Sequence, residues 1–236
     1  MEEKVGIHIP YPDVSNTCYS SHGEASATII IYRDHLIHFM EFVCDLKDKP
    51  GLTNIKKNFL DAIQDTPTVT ELCVLAMYNI NISCAFIQHV RLHDNLLELG
   101  PFFQKKVNFL KAVAADPTRW LGQDTSHTLG TLDGCEQDSW GALIMKFIHL
   151  LLPSLPDLEG TMVMFLQGAE KTFSKRFSDK FVKGGNIDRL AAEDQEELYF
   201  ASTNDRNEGT LGSWHLGRRQ LLSETINKFN SNFISW

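Results

Sequence analysis

Apolar residues recur at helical spacing along most of this chain. Ile29, Tyr32, Leu36, Phe39, Val43 and Leu46 form the first long stripe, within a stretch from Glu24 to Lys49 that lacks Pro and Gly. The stripe predicts an amphipathic helix, although Thr28 to Tyr32 taken alone has strand-forming composition. Pro50-Gly51 ends it. A short helix carrying Ile55, Phe59 and Ile63 follows, then a turn at Asp65-Thr66-Pro67. Thr68-Val69-Thr70-Glu71 is spelled like a capping box, in which the Thr68 hydroxyl takes an orphan amide and Glu71 reaches back. From Leu72 to Val90 the chain is apolar on most sides, which predicts a central helix. Asn79, Asn81 and Ser83 interrupt it and predict a break into two.

A further helix is expected from Pro101 to Ala115, with Phe103, Val107, Leu110 and Ala114 as its stripe. Pro117, Gly122, Gly130 and Gly134 punctuate a polar stretch that reads as a long loop over 116–139. Trp140, Leu143, Phe147 and Leu151 begin the next helix, stopped by Pro153 and Pro156. Met162, Phe165, Leu166, Ala169, Phe173 and Phe177 give another long one, closed by Gly184-Gly185. A short acidic helix over about 188–200 and a last one carrying Leu222, Ile226, Phe229 and Phe233 complete the pattern. The fold class expected is all-α, an irregular multi-helix bundle with at most a minor strand pair near the N-terminus. Residues 1–20 read as an irregular segment, and 21–236 as one helical domain. Strands and helices do not alternate, which excludes a parallel α/β sheet.

Composition narrows the functional classes. The 236 residues carry a formal net charge of -8, with 43% apolar and 22% charged residues. That balance is ordinary for a soluble globular protein. An acidic chain is poorly suited to coat nucleic acid nonspecifically or to bind an anionic membrane. No uninterrupted apolar run approaches the ~20 residues of a membrane span, and Met1-Glu2-Glu3-Lys4 does not open a signal peptide. The five cysteines are widely spaced and include no C-x-x-C pair. A disulfide framework is therefore not expected, and a reducing, intracellular setting is.

Four groups of residues can carry chemistry. Asp34, His38, Glu41 and Asp45 share one side of the first long helix, where they either hold a divalent metal or simply form its solvated face. His89 and His93 are one turn apart, with Asp94 beside them. They are metal-ligand candidates, weighed against histidines facing a helix C-terminus. With His38 and Glu41 they define a rival reading, a metal-dependent helical hydrolase that activates water. His22-Gly23-Glu24 reads as a helix start in which Gly23 caps. The most distinctive stretch runs from Ser202 to Gly212. Asp205 and Glu208, three apart, can bind Mg²⁺ or Mn²⁺ through hard oxygen ligands. Asn204, Asn207, Trp214, Arg218 and Arg219 can contact phosphate and stacked bases. The plain alternative is an N-capped turn. There is no P-loop, no G-x-S-x-G and no H-E-x-x-H.

The string Thr203-Asn-Asp-Arg-Asn-Glu-Gly-Thr-Leu-Gly212 resembles a motif of large transposable-element-related, transposase-like proteins of mushroom-forming fungi. His22-Gly-Glu-Ala25, Thr68-Val-Thr-Glu-Leu72, Ala115-Asp-Pro117 and Leu132-Asp-Gly134 follow in the same order. The resemblance implies the helical C-terminal region of such a protein, with Glu208 as a last acidic residue closing an RNase-H-type nuclease core. It implies DNA and an upstream catalytic segment as partners, no membrane, and a nuclear location where DNA is met. A two-metal nuclease also needs strand-borne carboxylates, and this chain has no strand-borne Asp pair. The expected function is therefore an accessory or interaction module, catalytically incomplete alone, touching DNA through the 203–219 region.

Overall fold

A computed structural model describes residues 20–45, 53–122, 127–181, 184–205 and 209. They cluster into two compact units, one of residues up to 89 together with 100–189, the other of 90–99 together with residues from 190 onward.

The first unit is built from helices. In chain order they are α1 (Ser21–Asp45), α2 (Asn54–Gln64), α3 (Thr66–Tyr78), α4 (Cys84–Arg91), α5 (Gly100–Ala115), α6 (Thr118–Leu121), α7 (His127–Gly130), α8 (Ser139–Leu151), α9 (Leu158–Phe173) and α10 (Asp179–Phe181). α4 runs on into the boundary of the second unit. Two π turns interrupt this order, Asn79–Ser83 between α3 and α4 and Ser174–Ser178 after α9. α1 packs along α3, α8 lies against both, and α9 lies against α5 and α3. Their inner faces meet in one core that includes Cys73, Met77, Ile82, Leu110, Ile144, Leu158, Met162 and Leu166. The interior is the all-α packing expected.

Several local expectations are corrected. No strand occurs among the described residues, so the minor strand pair near the N-terminus is not found, and Thr28 to Tyr32 is helical. Long-range packing on α3 outweighs the β propensity of that short run. The buried face of α1 is also rotated from the predicted stripe. Ile30, Ile31, Leu36 and Met40 are buried, whereas Ile29, Tyr32, Phe39 and Val43 are only half-buried. Its first two turns bury small and hydroxyl residues instead: Ser21, Gly23, Ala25, Ser26, Ala27 and Thr28. The Ser26 and Thr28 hydroxyls fold back onto the carbonyls of His22 and Glu24 at 2.7 and 3.0 Å. At Gly23 no side chain fits, because the Asn79 side chain comes close there.

The start of α3 lies earlier than its capping-box spelling. Asp65 is the cap: its carboxylate accepts from the Thr68 amide at 3.0 Å and the Thr68 hydroxyl at 2.7 Å. Those bonds hold the Asp65 carboxyl below its ordinary value. Pro67 then sits in the first turn, where its missing N–H costs nothing. The 116–139 stretch is likewise more than a loop. It contains α6 and α7, and Trp120 and Leu132 join the core. The Trp120 indole N–H donates to the Gly130 carbonyl at 2.8 Å, tying the two short helices together. The helical run expected from Met162 starts at Leu158 and passes without a break through the π turn Ser174–Ser178 into α10, which ends at Phe181. Gly184 takes a left-handed φ of 86° and donates its amide to the Asp188 carboxylate at 2.7 Å.

By length and composition the helical stretch Thr66–Arg91 meets the requirement for a membrane span, which the search for uninterrupted apolar runs did not anticipate. Val69, Cys73, Val74, Ala76, Met77 and Ile82 within it are buried among other helices, the packing of a core helix.

The second unit joins two distant segments. A 3₁₀ turn, Leu96–Leu99, follows α4, and α11 (Ala192–Glu197) precedes an extended stretch. Asn95 forms an isolated antiparallel bridge with Ala201. Its side chain clasps the partner segment, donating to the Leu198 carbonyl at 2.9 Å and accepting from the Phe200 amide at 3.2 Å. The Leu96 amide donates to the Phe200 carbonyl at 2.7 Å, and the Ser202 hydroxyl donates to the His93 carbonyl. This pairing claims residues 198–202, so the acidic helix is shorter than the 188–200 expected. The helix expected over 222–233 lies outside the described residues.

Candidate functional site

The break foreseen at Asn79, Asn81 and Ser83 is a π turn buried in the first unit. A π turn widens the helix by one residue and leaves its neighbours' hydrogen bonds irregular, and such turns frequently occur at functional sites. Here three polar side chains, Asn79, Asn81 and Ser83, are carried into the interior at 3%, 1% and 4% exposure. α1 approaches so closely that a Cβ on Gly23 would lie 2.4 Å from the Asn79 Cβ. Gly23 is therefore a close-packing residue rather than a cap.

The amides of the turn are only partly satisfied. The Asn81 Oδ1 accepts from the Gln137 Nε2 at 2.5 Å, and the Asn81 carbonyl accepts from the Leu132 amide at 2.9 Å. Asn81 Nδ2 and Asn79 Oδ1 are buried without a hydrogen-bond partner. A buried amide oxygen left unpaired costs roughly 1–3 kcal/mol, so its retention calls for an explanation.

Asn79 opens onto a chamber of about 470 Å³ in the same unit. Glu24 and Thr28 of α1 line one side, and Cys84 and Gln88 of α4 another. The 131–138 segment closes it with Asp133, Glu136, Gln137 and Asp138. Local geometry fixes that segment. Gly134 has a left-handed φ of 79°, Asp133 Oδ1 accepts from the Cys135 amide at 3.0 Å, and the Thr131 hydroxyl donates to the Cys135 carbonyl at 2.9 Å. Asp138 caps α8 by accepting from the Gly141 amide at 2.7 Å. Burial raises the pKa of the Cys84 thiol, and the Glu24 and Asp138 carboxylates push it further up. Such a thiol stays protonated and is a poor nucleophile. The chamber offers acceptors and negative charge to a ligand that brings donors.

The residues singled out from the sequence fall elsewhere. Asp34, His38, Glu41 and Asp45 are exposed on α1. His89, in the first unit, stacks on Phe102 with ring centroids 3.6 Å apart. His93 and Asp94 belong to the second unit, where His93 Nδ1 lies 3.5 Å from Glu98 Oε2. Asp94 is exposed, and its carbonyl accepts from the Ser202 amide at 3.3 Å. Asp205 pairs with Arg91 at 2.8 Å, so one guanidinium already occupies its carboxylate. Asn204 is exposed. Asn207, Glu208, Trp214, Arg218 and Arg219 lie outside the described residues. Among the described residues no three His, Cys, Asp or Glu side chains come together as a metal site.

One unusual group was missed. Lys106 is 1% exposed on α5. Its Nζ sits 3.8 Å from the Phe86 ring centroid and 4.4 Å from that of Phe173. Burial lowers its pKa to about 8. The signal was available: Phe102, Lys106 and Leu110 are spaced by four, which puts the lysine on the buried stripe.

Comparison with protein-family models, with curated proteins and with solved structures finds no match for this chain. The class that the fold defines is an all-α helical protein.

Proposed function

We propose that the chain is a helical interaction module, catalytically incomplete alone, that binds a small cationic or donor-rich ligand in the chamber beside Asn79. The supporting observation is that Asn79, whose Oδ1 is buried without a partner, lines the chamber together with Glu24 and Glu136. A ligand N–H directed at that oxygen would recover the hydrogen bond the fold leaves unmade. Isothermal titration with putrescine, agmatine and arginine tests this. Saturable binding that falls in Glu24→Gln and is lost in Asn79→Leu is expected. Absence of saturable binding of any of the three to the wild-type chain would overturn it.

The transposase-like reading adds DNA contact through 203–219. It is favoured by the Thr203–Gly212 string with Arg218 and Arg219 following. Titration against single- and double-stranded DNA at two salt concentrations tests it separately. Affinity that weakens with salt and drops in the Arg218→Ala, Arg219→Ala double variant is expected. No binding at micromolar protein removes this part of the reading.

A further inference from the structure

A second groove, of about 440 Å³, lies in the first unit between α5 and α9. Its walls are Tyr78, Met164, Phe165, Ala169, Phe173 and Phe177, and Lys106 is the one charged residue among those lining it. Met164 and Phe177 are 68% and 50% exposed, so large apolar side chains frame an open mouth. The rings beneath it interlock. Phe173 stacks on Phe177 at 5.2 Å and meets Phe86 and Phe103 edge-on at 5.8 and 5.5 Å.

Lys106 has no carboxylate or hydrogen-bond partner among the described residues; its contacts are the faces of Phe86 and Phe173. The nearby acid of α9, Glu170, is engaged elsewhere, 3.5 Å from Lys111 Nζ and accepting from the Ser174 hydroxyl at 2.8 Å. Charged groups buried this deeply are ordinarily paired. Ring faces supply part of the compensation but bring no opposite charge. A cation without an anion at the end of an apolar groove is complementary to an anion at the end of an apolar chain.

We propose that this groove binds a hydrophobic carboxylate, its tail along Met164, Phe165 and Phe177 and its headgroup paired with the Lys106 ammonium. The purely structural role, a lysine pinned between rings, predicts no preference for a charged headgroup and so gives a different result.

Octanoate and octanol are titrated into the full chain by calorimetry. Octanoate is expected to bind about tenfold tighter than octanol. Lys106→Met, with its fold checked by circular dichroism, is expected to keep octanol binding and lose the preference. Equal affinity of the two ligands for the wild-type chain overturns the proposal, as does an undiminished preference in Lys106→Met. A second variant does not depend on that substitution folding. Gly168 lines the groove, and a Cβ there meets nothing within 4 Å. Gly168→Trp should therefore fill the groove and abolish binding of both ligands, and octanoate binding that survives it overturns the assignment.

Discussion

At Asn79–Ser83 the π turn lies in the interior, carries amides and faces a chamber rich in carboxylates. At Ser174–Ser178 it lies at the surface, exposes Lys175, Arg176 and Phe177, and borders an aromatic groove with one buried cation. The backbone device is the same and the consequences differ. In the interior turn the extra residue is held by contacts from three sides: Gly23 of α1, Gln137, and the Leu132 amide. An irregularity fixed by so many neighbours persists even though it leaves polar atoms unpaired. The surface turn joins α9 to α10 and lies against α5 with its outer side open.

The comparison can be broken most severely at Gly23. Gly23→Ala should cost about 3 kcal/mol, because the new Cβ overlaps Asn79 and α1 must shift. Urea denaturation measures this, and a loss below about 1 kcal/mol would mean that the buried turn yields easily. At the other groove the largest effect should come from Lys106. A lysine whose folded pKa is depressed binds its proton less tightly than in the unfolded chain. Its cost is therefore full below about pH 8 and is relieved as pH rises from about 8 toward the ordinary lysine value of 10.5. Lys106→Met should be more stable than wild type at pH 7, by roughly 2 kcal/mol. The gap should narrow over that window by at most about 1.4 kcal/mol per pH unit, as thermal melts at pH 7, 8, 9 and 10 would report. A gap independent of pH would remove the buried-charge account.

Smaller changes sharpen the contrast. Asp65→Ala, at the start of the helix feeding the buried turn, should lower stability by less than either change above. That cost should fade in acid, since the cap's contribution is lost as pH falls through the lowered Asp65 pKa. A pH series of denaturant midpoints checks both the size and the sign. Gly168→Ala, on the exposed side of α9, should stabilise by up to about 1 kcal/mol through helix propensity alone. Its rise in melting temperature is the counterpart to the loss at Gly23. The same substitution type thus destabilises at one groove and stabilises at the other.

Periodicity located the long helices of the first unit but not the four-residue α6 and α7, because 3.6-residue spacing of apolar groups shows only over several turns. It misread which face of α1 is buried, since that depends on how near α3 and the π turn come. Small residues at Gly23, Ala25 and Ser26 were the mark of close approach, yet a stripe search weights large apolar groups. Asn79 and Asn81 were legible as an interruption, though not as a buried one with unpaired atoms. The Thr68 capping box and the Asp65 cap compete for the same amides, and only geometry decides between them. Lys106 was passed over because a charge within a stripe is read as an exception to it. His89, whose spacing from His93 invited a metal, is half-buried and stacks on Phe102.

The clasp around Asn95 has a bearing on how the chain acquires its fold. The Phe200 amide and Asn95 Oδ1 that bond to each other are 105 positions apart, so closing that link encloses all of α5 to α11 in one loop. Loop-closure entropy grows only slowly with length, but the order of events is constrained. During synthesis the 90–99 strip leaves the ribosome long before its partner exists. The Leu96 amide and the Asn95 side chain must wait in water while the first unit assembles from the intervening helices. Folding should accordingly be biphasic, a fast helical phase followed by a slower closing step of high contact order. A chain cut between Glu197 and Leu198 should retain the first phase and lack the second.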